Sequence, residues 1–300
     1  MKGLLALIRR NVKIFFKDKG MFFSSLITPV ILLVLYGTFL GRVYRENFLS
    51  AIPAGVHIPE SLLNGLVGGQ LISSILAVSC VTVAFCSNML MVQDKVSGAR
   101  ADLMVTPVRR SVLAMGYYVA SLLATLLVCL VAAGACLIYL SLVGWYLSIW
   151  DVLLMLLDVF LLAMFGMALS SIVNSFLSTE GQISAVGTII SAGYGFLCGA
   201  YMPISQFGEG LQRVLGFFPG TYGTSLLRNH ALGGVLAEME SQGVPAAVTS
   251  AIGKAVDCKL DFYGNQVGRN AMYLIVAGSV AVLLGVYVGI YIWRGKKARK

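Results

Sequence analysis

Long apolar stretches alternate with short polar ones along almost the whole chain. A helix needs about 20 apolar residues to cross the hydrocarbon core of a bilayer. Six segments meet that length: Phe22–Leu40, Leu66–Val92, Val112–Leu140, Val152–Val173, Ile183–Met202 and Ala271–Trp293. The second and third are long enough to tilt or to project beyond the membrane. Residues 1–20 hold no such run. Leu4, Leu5, Ile8, Val12, Phe15 and Phe16 gather on one side of a helical wheel, and Lys2, Arg9, Arg10, Lys13 and Lys17 on the other. That pattern predicts an amphipathic helix at a membrane surface, its cations facing lipid phosphates or a partner. A signal peptide fits less well, because the charged stretch is long and no small-residue cleavage site follows.

The longest interruption is residues 203–270, the one part resembling a small domain. Leu211, Val214, Leu215 and Phe218 recur at helical spacing, which predicts a short amphipathic helix ending near Pro219-Gly220. Residues 243–265 read as a loop with one short helix. The expected fold is all-α: one membrane domain over 1–300 with six transmembrane helices, an interfacial helix over 1–20, a loop over 93–111, and short external helices between spans five and six.

Composition agrees. The chain is 58% hydrophobic and 12% charged, about half the charged fraction of a soluble domain, with a mean hydropathy of +0.86. Soluble enzymes are excluded on that ground. The net charge of +9 does not indicate nucleic acid, because the cations are segregated. Six lie in the N-terminal segment (Lys2, Arg9, Arg10, Lys13, Lys17, Lys19), four in the loop after span two (Lys95, Arg100, Arg109, Arg110), and five in the tail (Arg294, Lys296, Lys297, Arg299, Lys300). Six spans put these three segments on one side. The positive-inside rule then makes that side cytoplasmic, with both termini on it. The plasma (inner) membrane is the expected location. Trp145, Tyr146, Trp150 and Trp293 suit an interfacial belt.

The chemistry of catalysis is sparse. The six cysteines form no CxxC or Cys/His array. The two histidines, His57 and His230, are far apart in the chain, so neither a His-based triad nor a metal centre is indicated. No phosphate-binding loop of the form GxxxxGK[ST] exists, so ATP has no such cradle here. Asp158 lies inside span four, where a carboxylate is costly; it reads either as a contact for cargo or proton or as a packing hydrogen bond. Span two holds Gln70, Ser73, Ser74, Ser79, Thr82, Ser87 and Asn88. Ser74 and Thr82 are candidate pathway residues, although hydroxyls also bond to their own helix. Span five has Gly187, Ser191, Gly195 and Gly199 at every fourth position, a face for close helix packing within the chain or across a subunit interface.

The loop over 93–111 reads QDKVSGARADLMVTPVRRS. Gly98 breaks the outgoing helix, Pro107 suits the first turn of the next, and a short helix around Leu103, Met104 and Val105 fits between. Such a helix, held by two rigid spans, is a handle by which a cytoplasmic partner moves both; the alternative is a solvated connector. Here the chain resembles the type-2 permeases of ATP-binding-cassette (ABC) exporters, which carry an acid, a base, Gly-Thr, a leucine-rich turn and Thr-Pro before their third span. Asp94, Lys95, Gly98, Leu103, Thr106 and Pro107 match. Ala99 stands where Thr is usual, and Arg100-Ala101 where Leu-Glu is usual, with Asp102 one place later. A second match runs from Gly199 through Pro219, Tyr222, Leu227 and Arg228, with Phe218 in place of the usual Asn.

The resemblance implies that residues 94–107 couple the chain to a cytoplasmic ABC ATPase, that ATP and Mg bind on that partner and no cofactor binds here, and that a second permease copy or paralogue completes the transporter. An amphipathic cargo (drug, lipid-linked glycan or peptide) would leave the cell. The rival from another class is a secondary transporter driven by an ion gradient through Asp158.

Overall fold

The computed structural model describes residues 2–51, 58–106 and 108–297; Pro107 and His57 lie outside them. The chain is helical almost throughout. Helix α1 (Lys2–Lys17) is followed by α2 (Lys19–Leu35), a π-helical turn (Tyr36–Leu40) and α3 (Gly41–Ala51). Then come α4 (Glu60–Ser87), α5 (Leu90–Val96), α6 (Ala99–Val105), α7 (Arg110–Val143) and α8 (Ile149–Phe176). The remainder is α9 (Glu180–Leu197), α10 (Glu209–Leu215), α11 (Pro219–Ser241), α12 (Ala246–Ala255), an antiparallel pair of short strands β1 (Leu260–Phe262) and β2 (Asn265–Val267), and α13 (Arg269–Lys297).

Among the described residues, five helical segments are long and apolar enough to cross a membrane: Lys19–Glu46, Glu60–Val96, Ser111–Val143, Ile149–Phe176 and Arg269–Trp293. The chain is therefore an all-α, multi-pass membrane protein. The expected fifth span corresponds to α9. Its Glu180, Gln182 and many Gly, Ser and Thr residues dilute its hydropathy. Its 18 residues still extend about 27 Å at 1.5 Å per residue. Its start lies by Lys95, which bonds Leu177 and Ser178. Beyond its far end, the Tyr201 carbonyl accepts from Tyr44.

Helix starts follow from local chemistry. Ser148 with Asp151 opens α8 and Thr179 with Gln182 opens α9, each pair forming a reciprocal capping box. Pro219 occupies the first turn of α11, where its missing N–H costs nothing. The Tyr263-Gly264 turn between the strands has positive φ at both residues (51° and 84°), as a tight hairpin requires.

The core is centred on α4, whose most apolar window is 94% buried. It packs against α7, α8, α11, α2 and α9. Gly69 admits α11 closely: a side chain there would meet the Ala231 carbonyl at 2.8 Å. The segment over 203–270 thus does not lie wholly outside the bundle. The expected short helix is α10, but α11 after it runs back between α4, α8 and α13. Its sequence lacks a long apolar run because its neighbours are protein. Helix α1 is likewise drawn onto the bundle, burying Leu7, Asn11 and Phe15 against α7 while Leu5 and Phe16 of the expected apolar stripe stay outside.

Candidate functional site

The end of the bundle that carries α1, α6 and the start of α7 is stitched together by polar side chains. Asn88, between α4 and α5, donates to Ser170 and Ser171 on α8 (3.1 and 3.0 Å), and Asn174 donates to the Asn88 carbonyl at 3.1 Å. Ser87 shares a 2.7 Å hydrogen bond with Thr125 on α7. The end of α4 is therefore fixed to both neighbouring spans before the chain leaves the membrane.

Asp94 and Lys95 follow on α5. Asp94 is 5% exposed. Arg10 of α1 grips it with two bonds (2.6 and 3.1 Å), and the Tyr117 hydroxyl of α7 donates to it at 2.6 Å. The carboxylate raises the already high pKa of Arg10 by accepting that fork. Bonds to a charged partner are worth about 1.5–3 kcal/mol each when well shielded. Lys95 donates to the Leu177 carbonyl and to Ser178 (2.5 and 3.0 Å), in the turn between α8 and α9. Both residues thus face the bundle and fasten the loop to α1, α7 and the α8–α9 turn.

Gly98 has φ +84°, a left-handed conformation that glycine adopts without strain; it turns the chain into α6. Arg100 lies 5.3 Å above the Tyr291 ring of α13, a cation–π contact. Tyr291 and Tyr287 reach Met91 in turn, and Tyr287 bonds the Ala114 carbonyl. Leu103 packs partly into the core, and the Thr106 hydroxyl closes the helix on the Leu103 carbonyl at 2.6 Å. No residue of α6 is buried. Ala101, Asp102, Met104 and Val105 face outward, Val105 at 88% exposure. The geometry is a short surface helix with apolar tips on a base tied to four other elements. Of the residues singled out in the sequence, Asp94, Lys95, Gly98, Leu103 and Thr106 shape this unit from behind. Sequence reasoning missed Arg10 and Tyr117 as partners of Asp94; the cationic stripe of α1 was visible, but nothing in it marked one residue out.

At the opposite end, Arg228 of α11 is 1% exposed. Its Nη1 bonds Asp257 at 3.1 Å and its Nη2 bonds the Gly199 carbonyl. Asp257 also accepts from the backbone N–H groups of Ile204 and Ser205. Tyr222 donates to the Gly216 carbonyl at 2.6 Å. Phe218 offers no capping bond to α11 and packs between Phe165 and Tyr194 instead. Gly199 has φ +75° and reverses the chain after α9. Tyr201 folds back so that its ring covers Gly195 and its hydroxyl meets the Ser191 carbonyl at 3.2 Å. Gly187 faces Met89. This ladder therefore packs within the chain. The outward face of α9 presents Ser184, Ala185, Thr188, Ile189 and Ala192.

Asp158 finds a partner that no pattern in the chain singles out. His230 of α11 meets it at 2.6 Å, and the His230 ring stacks with Tyr273 of α13. The hydrogen bond joins α8 to α11, and the ring stack adds α13. Thr82 donates to the Val78 carbonyl of its own helix, whereas the buried Ser74 hydroxyl has no hydrogen-bond partner among the described residues. Among the described residues no group of three or more His, Cys, Asp or Glu is arranged to hold a metal ion.

Residues 2–231 match the family model ABC2_membrane, described as ABC-2 type transporter. The chain belongs to the ABC-2 type transporter family. The match spans α1 through His230 and Ala231 of α11, so it includes the tied surface helix, Arg228 and the Asp158–His230 pair. In the ABC-2 family this chain is a permease, the membrane component of a transporter whose family partner is an ABC ATPase. No match is found among curated proteins.

Proposed function

We propose that the chain is the permease subunit of an ABC exporter, in which a separate ATPase subunit binds ATP and Mg and drives an amphipathic cargo out of the cell. The observation that carries this reading is α6. None of its residues is buried, yet α5 just before it is bonded to α1, α7 and the α8–α9 turn through Asp94 and Lys95, and Arg100 of α6 itself stacks on α13. A push on its outer face is therefore shared by several spans, as a rigid coupling between two states requires. The basic end is the cytoplasmic side of a plasma membrane, in keeping with the positive-inside rule. Counting α9, the chain crosses six times, and both termini are cytoplasmic. A second permease copy or paralogue pairs along the small exposed residues of α9, Ser184, Ala185, Thr188 and Ala192, a face suited to close packing in lipid.

The test uses surface variants that leave the ties intact. Met104→Asp and Val105→Asp should abolish co-purification of the partner ABC ATPase and its stimulation in proteoliposomes, with an unchanged melting temperature. Full ATPase binding by both variants would refute the handle.

A further inference from the structure

Beside the Arg228–Asp257 junction lies a small polar cup that the coupling helix leaves unused. It encloses about 170 Å³ and is lined by Gln212 and Gly216 of α10 and its end, by Lys254, Asp257, Lys259 and Asp261, and by the turn after Pro203. Asp257 has φ +56°, a left-handed conformation that Asp tolerates better than most residues. The reversal is closed by the Cys258 N–H on the Gly253 carbonyl at 2.8 Å. It separates α12 from β1 and lets Lys254, before it, and Lys259, after it, reach the same cup.

Most polar groups of the lining are already spent. Asp257 accepts from Arg228 and from the Ile204 and Ser205 N–H groups. Gln212 Nε2 donates to the Ser205 and Phe207 carbonyls, and the Tyr222 hydroxyl to Gly216. The two ammonium groups differ. Lys259 gives one N–H to Ser250 at 2.8 Å and keeps two without a partner among the described residues. Lys254 stands 3.9 Å from Asp261, beyond hydrogen-bond distance. Both side chains of that pair are more than half exposed (59% and 52%), where an ion pair contributes little. With Asp257 neutralised by Arg228, the remaining charges are Lys254, Lys259 and Asp261, an excess of one positive.

The chain beside these lining residues is apolar and exposed. Leu211 and Val214 of α10 are 46% and 65% exposed, and Phe217, next to Gly216, is 68% exposed. The Phe217 ring meets Phe262, which follows Asp261, edge-on at 5.2 Å, and Tyr263 joins the same cluster. Apolar tips set directly beside unspent cationic donors are the arrangement that holds an amphipathic anion at a membrane surface.

We propose that the cup holds the phosphate of an outer-leaflet lipid, with Lys254 and Lys259 on its oxygens and the acyl chains along Leu211, Val214 and Phe217. The leaflet rests on the orientation given above; the binding needs neither ATPase nor export. Ammonium groups take phosphate as point charges. Because α10 and the 254–261 stretch both line the cup, a bound headgroup joins them.

The experiment is hydrogen–deuterium exchange on the purified, delipidated permease in mild detergent, read in peptides covering 205–217 and 253–262. Added dioleoylphosphatidylglycerol should slow exchange there several-fold. Dioleoylglycerol, which has the same tails and no phosphate, should not, and inorganic phosphate alone should do so only at far higher concentration. Lys254→Gln/Lys259→Gln should abolish the slowing at an unchanged melting temperature, and Val214→Ser should weaken it for the lipid only. Asp261→Asn, which removes the competing carboxylate, should lower the half-saturating lipid concentration several-fold. Equal slowing in the wild type and the double lysine variant, or by dioleoylglycerol, would overturn the proposal. Inorganic phosphate matching the lipid would replace the lipid by a free ion and overturn it as well. No ATPase is present in the test, so its failure leaves the exporter reading untouched.

Discussion

Removing the Asp257 carboxylate tests the polar junction at the far end of the bundle. The group accepts from Arg228 at 3.1 Å, from the Ser205 N–H at 3.0 Å and from the Ile204 N–H, and the two ion-pair side chains are 1% and 4% exposed. Asp257→Leu strands a buried guanidinium on a single carbonyl. Breaking a buried pair from one side costs about 3–5 kcal/mol. At about 2–4 °C per kcal/mol, the apparent melting temperature should fall by on the order of 10 °C. Arg228→Met in the same chain removes the stranded charge, so the double variant should recover part of the loss. It should not recover all of it, because the Ile204 and Ser205 N–H groups stay unpaired at about 1–3 kcal/mol each. The assay is size-exclusion chromatography of the detergent-solubilised, fluorescently tagged permease after graded heating. Asp257→Leu melting with the wild type would refute the reasoning, as would a double variant less stable than the single one.

Three further outcomes are expected. Asp158→Asn and His230→Gln should each lower stability, and a double-mutant cycle should return a coupling of about 0.5–3 kcal/mol; strictly additive losses would show that the 2.6 Å contact is not an energetic link. Gly98→Ala should cost about 1–2 kcal/mol at φ +84° and reduce ATPase co-purification by tilting α6, whereas unchanged binding would mean that the turn tolerates a side chain. Burial pushes the Cys258 thiol up to about 12, which leaves on the order of one thiolate in ten thousand at pH 8. Maleimide labelling of this cysteine should be slow in the folded protein and fast in denaturant; fast labelling at pH 8 before unfolding would contradict that burial.

The periodicity of the apolar runs located the five long crossing segments, because lipid imposes a length and a composition that any single helix must satisfy alone. It also marked α9 and the short helix of the 93–111 loop. It did not reveal α11, whose 23 residues are buried against protein and need no apolar run. Gly98 as the break in the loop was legible by itself. The roles of Asp94 and Lys95 were not. An acid and a base in a solvated loop look like partner contacts, and only the approach of Arg10, Tyr117 and the Leu177 carbonyl turned them inward.

The sequence by itself determined that this protein lives in a membrane, how its polar ends are sorted, and that no phosphate-binding loop accompanies its helices. Those properties follow from local composition and spacing, and each segment expresses them independently. Tertiary structure decided which charges neutralise one another: Arg10 with Asp94, Arg228 with Asp257, and His230 with Asp158. Their partners stand 84, 29 and 72 positions apart, distances over which no periodicity in the chain carries information. In a low-dielectric interior the pairing, rather than the presence, of a charge sets its energy.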